Sequence, residues 1–508
     1  MARLELLHAG GAERSGGLNI LVALTSSYSR SRTITWQRHR SSGPRSTVSR
    51  PLSNITDATV GHLLLGFRSR SQEASADVHL VRGPQYQPRS HSLAGQLLCP
   101  DVLLSPHFGM AALAPHGNLS CMLAGAKKVD FVDWPVPRVD DPHDVLIKIA
   151  YTGVCGSDVS ITRRNIFSSC FRVWTSTFLP IRSTLHRLER QANVDQVHFW
   201  LHGGISTYMI DQPLIMGHEA SGVVAAVGSA VTTLRPGDKV SVEPGFPCRW
   251  CSRCKEGKYH LCPDMKFAAS PPTTHGTLTK IFKSPEDYCY KLPQAMSLQE
   301  GVLIEPLAVA VHALRLAGPM DPRRAVVVFG AGTVGLLCGR TAKALGADRV
   351  SMVDISPVRL DFAASYVGCQ TFAVDLTQTA QQVAQSIRDK HSLTPNCVTV
   401  VVDASGAESS MRVGVELLQT GGTFVQVGMG KDEVMYPIMS VCTKELTIKG
   451  SFRYGHGDYA DAVALASSGK VTVKELITKV VPFNDTVTAW DTTRRGEGIK
   501  TLIKVMDD

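Results

Sequence analysis

Four closely spaced cysteines restrict the fold of this chain more than any other feature. Cys248, Cys251, Cys254 and Cys262 form a C-x2-C-x2-C-x7-C pattern. Four thiolates with such short spacers can converge on one tetrahedral ion, which makes a structural zinc site. The alternative is a disulfide cluster, but disulfides are typical of small folds in oxidising compartments, and this chain has 508 residues. The pattern therefore predicts structural zinc, which leaves no coordination position open for catalysis.

The net charge of +9 does not predict a nucleic-acid-binding protein. Residues 1–109 carry a net +6 and residues 160–196 a net +4, from arginine without any lysine, so the rest of the chain is almost neutral. Positive charge confined to two such segments does not form a phosphate-binding surface. No apolar run reaches the ~18 residues of a membrane helix. The 13 cysteines without a secretion signal favour a reducing compartment, so we expect a cytoplasmic protein with neither nucleic acid nor membrane as partner.

The first arginine-rich segment also lacks the patterns of regular structure. Residues 1–109 are rich in Ser, Gly, Pro and Arg and show no sustained helical or strand period. We interpret them as a disordered or mispredicted N-terminal extension, with the start of the protein at Met110. The alternative is a mitochondrial transit peptide, although a cleaved N-terminal signal is usually about 15–30 residues long.

A glycine-rich motif after the cysteines predicts a dinucleotide site. The sequence AVVVFGAGTVG over residues 325–335 places G-x-G-x-x-G between a buried strand and a helix, which is the context that the motif requires. The first glycine allows a tight turn, the second lets the backbone approach the pyrophosphate, and the third lets helix and strand pack closely. The candidate cofactor-binding residues here are Gly330, Gly332, Thr333, Val334 and Gly335.

An acidic residue at the end of the next predicted strand indicates which dinucleotide is bound. A carboxylate at Asp354 can accept hydrogen bonds from both ribose hydroxyls and would repel a 2′-phosphate, which predicts NAD rather than NADP. The alternative is that Asp354 caps the helix beginning near Pro357, although Ser356 could do so instead. Arg359 in the same helix is a further candidate cofactor-binding residue.

Strands and helices alternate through this half of the chain, which predicts a doubly wound parallel sheet. The predicted strands after the glycine-rich motif are Arg349–Asp354, Cys397–Asp403, Gly422–Val427 and Leu446–Ile448, and earlier strands are expected at Ala126–Val132 and Asp144–Ala150.

Three short segments carry the side chains best suited to catalysis. They contain Cys155, His218-Glu219 and Glu305. Cysteine, histidine and a glutamate provide one soft and two harder ligands, a suitable set for zinc, and three protein ligands leave one position open. Each residue alone has a simpler interpretation, as a buried thiol, a core histidine or a salt-bridged acid.

In this order, together with the cysteine run and the glycine motif, the segments resemble the zinc-dependent medium-chain dehydrogenases/reductases, from Leu119 to the C-terminus apart from one interruption. The resemblance implies an α/β protein with a GroES-like, mostly β catalytic domain and a doubly wound Rossmann domain for NAD. We expect the catalytic domain at 110–307, a structural zinc lobe at 243–265, the NAD-binding domain at 308–450, and a return to the catalytic domain at 451–508.

The resemblance also implies roles for individual residues. Cys155, His218 and Glu219 would bind the catalytic zinc. Glu305 stands where the alcohol dehydrogenases of the family have cysteine, and is similar to the glutamate of the polyol dehydrogenase branch that contacts the metal directly or through water. We therefore count Glu219 and Glu305 among both the metal ligands and the catalytic residues.

The substrate is also implied by resemblance. The segment around Arg453 and Tyr454 is similar to the one that lines the polyol pocket in that branch, and an arginine there can donate to several hydroxyls. The segments look closest to those of the fungal xylitol dehydrogenases, or D-xylulose reductases. This implies reversible oxidation of xylitol to D-xylulose with NAD. L-arabinitol and sorbitol are the alternative substrates, and relatives are commonly homotetramers.

One interruption falls beside the predicted active site. The family begins its proton relay with a serine and a histidine; Ser157 is in place, but the histidine follows only at His198. Removing residues 159–196 restores Cys-Gly-Ser-Asp-Val-His, and Val159-Ser160 and Gln196 can be encoded by GTAAGT and CAG, the ends of an intron. We interpret the segment as a translated intron that loops out while the zinc ligands still converge. The alternative is a genuine insertion, which could leave a catalytically inactive scaffold that binds zinc and NAD.

Overall fold

The computed structural model describes residues 117–155, 200–201, 204–205, 208–271 and 274–506. The predictions for residues 1–109 and 159–196, and those for Ser157 and His198, lie outside these ranges. No helix within the described ranges is long and apolar enough to cross a membrane.

The N-terminal part of the described chain consists mostly of short strands. They are β1 (Leu119–Gly125), β2 (Lys128–Asp133), β3 (Asp144–Gly153), β4 (Gly204–Ile205), β5 (Tyr208–Met209), β6 (Leu214–Ile215), β7 (Glu219–Val227), β8 (Lys239–Val242), β9 (Gly245–Phe246), β10 (Lys266–Phe267), β11 (Ile281–Pro285) and β12 (Cys289–Lys291). In β3, Val145, Ile147 and Ile149 belong to one buried core, because every second side chain of a strand points to the same face.

The helices lie mostly in the C-terminal part. They are α1 (Ser252–Lys255), α2 (Leu298–Val302), α3 (Ile304–Ala317), α4 (Thr333–Ala344), α5 (Pro357–Ala363), α6 (Ala380–Lys390), α7 (Glu408–Leu417), α8 (Ile438–Thr443), α9 (Asp458–Ser467) and α10 (Thr486–Arg494). Six parallel strands alternate with the middle helices: β13 (Ala325–Phe329), β14 (Arg349–Asp354), β15 (Gln370–Ala373), β16 (Val398–Asp403), β17 (Leu418–Gln426) and β18 (Thr447–Gly450).

The parallel sheet has the order β15-β14-β13-β16-β17-β18. The order reverses direction between β13 and β16, and the carboxyl ends of the strands open a crevice at such a point. Helices cover both faces: Val326 and Val328 of β13 belong to the core with α3 and α4, whereas Val327 and Phe329 belong to the core with α6 and α7. Burial on both faces explains why the central strand β13 is a continuous apolar run.

The mostly β part contains a sheet that the end of the chain completes. Its order is β12-β8-β7-β3-β20-β19, where β19 is Ile477–Pro482 and β20 is Lys500–Lys504. The first half of the long strand β3 pairs with β11 and its second half pairs with β20. The C-terminal strand therefore lies directly beside the strand that ends near Cys155.

The predicted α/β fold class is confirmed, since the described residues form a mostly β part and a doubly wound parallel sheet. Some boundaries differ. The strand expected at Ala126–Val132 begins two residues later, at Lys128, because Ala126 and Lys127 form the turn of a hairpin in which Lys127 has φ of +57°. The helix of the glycine motif begins at Thr333, directly after Gly332. The last glycine of the motif, Gly335, therefore lies in the first turn of the helix.

Candidate active site

Strand register brings the predicted zinc ligands together. Gly153, the last residue of β3, pairs with Glu219 at the start of β7 and with Leu502 of β20. Cys155 follows β3 by two residues and His218 directly precedes β7. Because these strands are neighbours in one sheet, the two ligand segments meet at the same end of it.

The resulting group has the composition and spacing of a metal site. One ligand atom from each of Cys155, His218 and Glu219 lies within 4.8 Å of the others. A Cβ at Gly153 would lie 2.0 Å from Glu219 Oε2, so a larger residue there would displace the Glu219 carboxylate. A thiolate, an imidazole and a carboxylate that converge in a buried place fit zinc with one position left open.

A buried lysine that the sequence did not indicate completes the group. Lys500 Nζ donates to Glu219 Oε1 at 2.7 Å and to Val154 O at 2.9 Å, and its side chain is 3% exposed. Burial lowers the pKa of Lys500, but Glu219, Cys155 and Glu305 raise it by a larger amount, so the ammonium stays charged. It orients the Glu219 carboxylate and offsets part of the negative charge of the ligands.

The electrostatic environment of His218 favours metal binding. Burial lowers the pKa of His218 to about 3, and the positive charges of Lys500 and Arg453 act in the same direction. The imidazole is therefore neutral at physiological pH, which is the form that offers a lone pair to a metal.

Glu305 lies beside the metal group and is not one of its convergent members within the described residues. It is 5% exposed in the first turn of α3. Burial raises its pKa to about 8, and the neighbouring Glu219 carboxylate contributes. The buried Tyr454 hydroxyl is close enough to oppose that rise, although no hydrogen bond of ordinary geometry joins the two groups.

Arg453 is fixed next to the ligand group by an aromatic ring. Its guanidinium carbon lies 3.6 Å from the centre of the Phe267 ring, and that ring lies 5.6 Å from the His218 ring. The backbone of Arg453 has φ of +55°, a left-handed conformation that is strained for a residue with a side chain. Phe267 was missed as a functional residue, because an apolar residue in a short strand gives no functional signal in the sequence.

The four lobe cysteines also converge. Their Sγ–Sγ distances are 3.5 Å for Cys251–Cys254 and 3.9 Å for both Cys248–Cys254 and Cys251–Cys262. A tetrahedral zinc with Zn–S bonds of about 2.3 Å has S–S edges of about 3.8 Å. The four thiols therefore fit one zinc ion, and no disulfide joins any of them.

Replacing Cys251 by serine is expected to remove one bound zinc per chain and to lower the midpoint of thermal unfolding by about 10 °C or more, because a structural ion contributes folding free energy. Metal analysis and calorimetry measure both effects. The control is Cys442→Ser, which changes an exposed thiol outside the lobe. Unchanged zinc content and stability in Cys251→Ser would contradict the structural role.

The glycine motif has the geometry of a phosphate-binding turn. Gly330 has φ of +93°, and a Cβ at Gly335 would lie 1.8 Å from Gly330 O, so neither position accepts a side chain. Gly332 caps α4 and has open space where its Cβ would be. The N-terminus of α4 therefore faces a space that an anionic pyrophosphate can occupy.

Asp354 points at this turn and does not cap the following helix. Its Oδ2 accepts from Ala331 N at 2.6 Å and its Oδ1 accepts from Ser356 N at 2.8 Å. Ser356 is the N-cap of α5, because its side chain accepts from Arg359 N. The alternative interpretation of Asp354 as a helix cap is thereby wrong, and its carboxylate lies at the edge of the candidate nucleotide site.

The segment before β20 connects the nucleotide turn with the metal group. Thr333 Oγ1 donates to Ile499 O at 2.9 Å, and Arg359 Nη2 donates to Gly496 O at 3.4 Å. Val334 is half-buried in the first turn of α4. Because Lys500 follows Ile499, the helix that faces the cofactor space also holds the strand that carries the lysine of the metal group.

Known proteins share this combination of parts. Residues 333–468 match the zinc-binding dehydrogenase family, and residues 191–294 match the alcohol dehydrogenase GroES-like domain. The second match begins inside the segment 159–196 and leaves β3 and Cys155 outside it. An insertion of residues 159–196 into the domain separates β3 and Cys155 from the matched part in this way.

The chain belongs to the zinc-dependent medium-chain dehydrogenases. It is 48% identical over 390 residues to D-xylulose reductase A of Aspergillus niger, which covers 77% of this chain and 97% of the relative. It is 49% identical over 391 residues to the probable D-xylulose reductase A of Aspergillus clavatus, with 77% and 98% covered. The crystal structure of galactitol-1-phosphate dehydrogenase from Escherichia coli has a TM-score of 0.62 at 26% identity, with 76% and 99% covered.

Proposed function

We propose that this protein is an NAD-dependent polyol dehydrogenase that interconverts xylitol and D-xylulose. The observation that carries the reaction class is the convergence of Cys155, His218 and Glu219 beside a guanidinium at Arg453. The D-xylulose reductases that are 48–49% identical to this chain support xylitol as the substrate.

The residues divide the reaction between them. A zinc ion held by Cys155, His218 and Glu219 would supply a Lewis acid for the alcohol oxygen of the substrate. NAD bound at the glycine turn would accept the hydride. Arg453 donates hydrogen bonds to hydroxyls of the substrate that do not react, because its planar guanidinium offers several donors in a fixed arrangement. Lys500 keeps the Glu219 carboxylate oriented toward the metal group.

The rest of the site controls solvent and protons. Phe267, which is 7% exposed, and the buried Tyr454 provide apolar walls that exclude water from the reacting carbon. Ser157 and His198 are proposed to lead the alcohol proton to solvent, as the resemblance to the family implies.

A panel of polyols tests the proposal directly, on the full chain and, because we expect residues 159–196 to impair turnover, on the form that lacks them. We expect NADH to form with xylitol, L-arabinitol and sorbitol, and the highest kcat/KM with xylitol. Preference for L-arabinitol or sorbitol would revise the substrate, whereas absence of turnover with every polyol, in protein that binds zinc and NADH, would favour the inactive scaffold.

Asp354→Ser is expected to narrow the preference for NAD over NADP by about tenfold or more, which corresponds to about 1.4 kcal/mol. The reason is that the variant loses the charge that repels a 2′-phosphate. The ratio of kcat/KM for the two cofactors measures the effect. A matched control is Asp375→Ser, which removes an exposed carboxylate beyond the next strand. Equal use of both cofactors by the unmutated protein would contradict the role of Asp354.

We further propose that the protein forms a homo-oligomer through the edge of the parallel sheet. Within the described part of the chain β18 pairs with β17 alone, and all four of its residues are exposed, including Ile448 at 40%. A free edge with an apolar side chain favours pairing with a second copy. Ile448→Glu should reduce the mass measured by light scattering, and an unchanged mass would place the interface elsewhere.

A further inference from the structure

The segment that carries Arg453 is held by a buried carboxylate. Asp458, the first residue of α9, is 1% exposed, and its Oδ2 accepts from Gly455 N at 2.6 Å and from His312 Nδ1 at 2.7 Å. Arg315 Nη1 contacts the other oxygen of this carboxylate. Both His312 and Arg315 lie on α3, the helix that begins beside the metal group with Glu305. Asp458 therefore connects Gly455, the residue after Tyr454, to the helix α3, which begins at the active site.

The cysteine lobe, residues 243–265, also contacts this segment. The Tyr259 hydroxyl donates to Glu243 Oε1 at 2.5 Å and lies 3.2 Å from Gly455 O. Gly257 O accepts from His456 N at 3.0 Å. The amide of Gly455 is thus bound by α9, whereas its carbonyl accepts from Asp458 N at 3.2 Å and also contacts the Tyr259 hydroxyl of the lobe.

Close packing leaves this segment little freedom. The His260 ring of the lobe lies 4.8 Å from the His312 ring of α3, and a Cβ at Gly455 would lie 3.0 Å from His260 Nδ1. The Arg453 backbone keeps its strained left-handed conformation two residues before this point. Strained residues persist only where their surroundings determine them, and here these surroundings include the Phe267 ring against the guanidinium and the contacts of Gly455.

We propose that Asp458 and Tyr259 are positioning residues for the Arg453 guanidinium, and that through it they strengthen the binding of the polyol substrate. The inference rests on the proposed function and names two residues that touch neither substrate nor metal. The cysteine lobe then has a second role besides stability, because one of its side chains holds the substrate-binding segment.

Kinetics of the full chain test the proposal with a double-mutant cycle. Asp458→Asn and Tyr259→Phe should each raise KM for xylitol about fivefold or more, with the dissociation constant of NADH and the zinc content unchanged. In an Arg453→Ala background the same changes should alter KM by less than about twofold, since the group that they position is gone. Tyr366→Phe is the matched control, because its hydroxyl donates to Thr472 O in a remote part of the chain.

Hydrogen exchange gives a readout that does not depend on turnover. The peptide that covers residues 451–457 should exchange faster in Tyr259→Phe than in Tyr366→Phe, because the Tyr259 hydroxyl no longer contacts the Gly455 carbonyl and the lobe holds the segment less tightly. If the two variants match in both exchange and KM, or if Tyr259→Phe is equally harmful without Arg453, the proposal is overturned. Should Asp458→Asn fail to fold, Tyr259→Phe decides alone. A wild-type protein without polyol turnover would refute the proposed function, whereas unchanged exchange would refute the positioning itself.

Discussion

Replacing Cys155 by serine is expected to lower kcat by about 1,000-fold or more while NADH binding is retained. A loss of this size corresponds to about 4 kcal/mol at 1.36 kcal/mol per tenfold. The physical reason is that a hydroxyl is a far weaker zinc ligand than a thiolate, so the buried group keeps only His218 and Glu219. Initial rates measure kcat, NADH fluorescence measures cofactor binding, and metal analysis measures the zinc content per chain.

The control for this substitution is Cys397→Ser, which changes another half-buried thiol that belongs to neither metal group. It should leave activity within about twofold of wild type, as is usual for a substitution away from special features. Near-full activity of Cys155→Ser with both zinc ions still bound would show that the catalytic metal is held elsewhere.

Deleting residues 159–196 is expected to raise kcat at least about 100-fold over the full chain, or to convert an insoluble product into a soluble one. The relay pair Ser157 and His198 is separated by this segment, and a misplacement of about 1 Å can reduce a rate about 100-fold. Zinc binding should differ little between the two forms, because Cys155, His218 and Glu219 converge even with the segment present.

A second substitution separates the relay from a general effect of the deletion. His198→Ala in the shortened chain should lower activity again without changing the zinc content, since the residue is proposed to move a proton and not to bind metal. Full activity of the complete chain, with the segment resistant to limited proteolysis, would identify residues 159–196 as a folded part of the enzyme.

Local motifs were sufficient for the parts of the site whose residues are close in sequence. The four lobe cysteines lie within a stretch of 15 residues, from Cys248 to Cys262, so their spacing alone predicts one tetrahedral site. The glycine turn and Asp354 could equally be predicted, because each follows or ends a strand that a turn connects to a helix. The sequence also led to Cys155, His218 and Glu219, but only through the order of several motifs and their resemblance to a family.

The tertiary structure decided the contacts between residues that are far apart in sequence. Lys500 reaches Glu219 across 281 positions because β20 pairs with β3, and β3 pairs with β7. Arg453 lies on Phe267, and Asp458 binds α3, for the same kind of reason. An amphipathic strand or an acid at a helix start looks ordinary in the sequence. The sequence by itself thus determined the class of fold, the kinds of metal ligand and the nucleotide turn, whereas strand register and helix packing decided which buried charges support them.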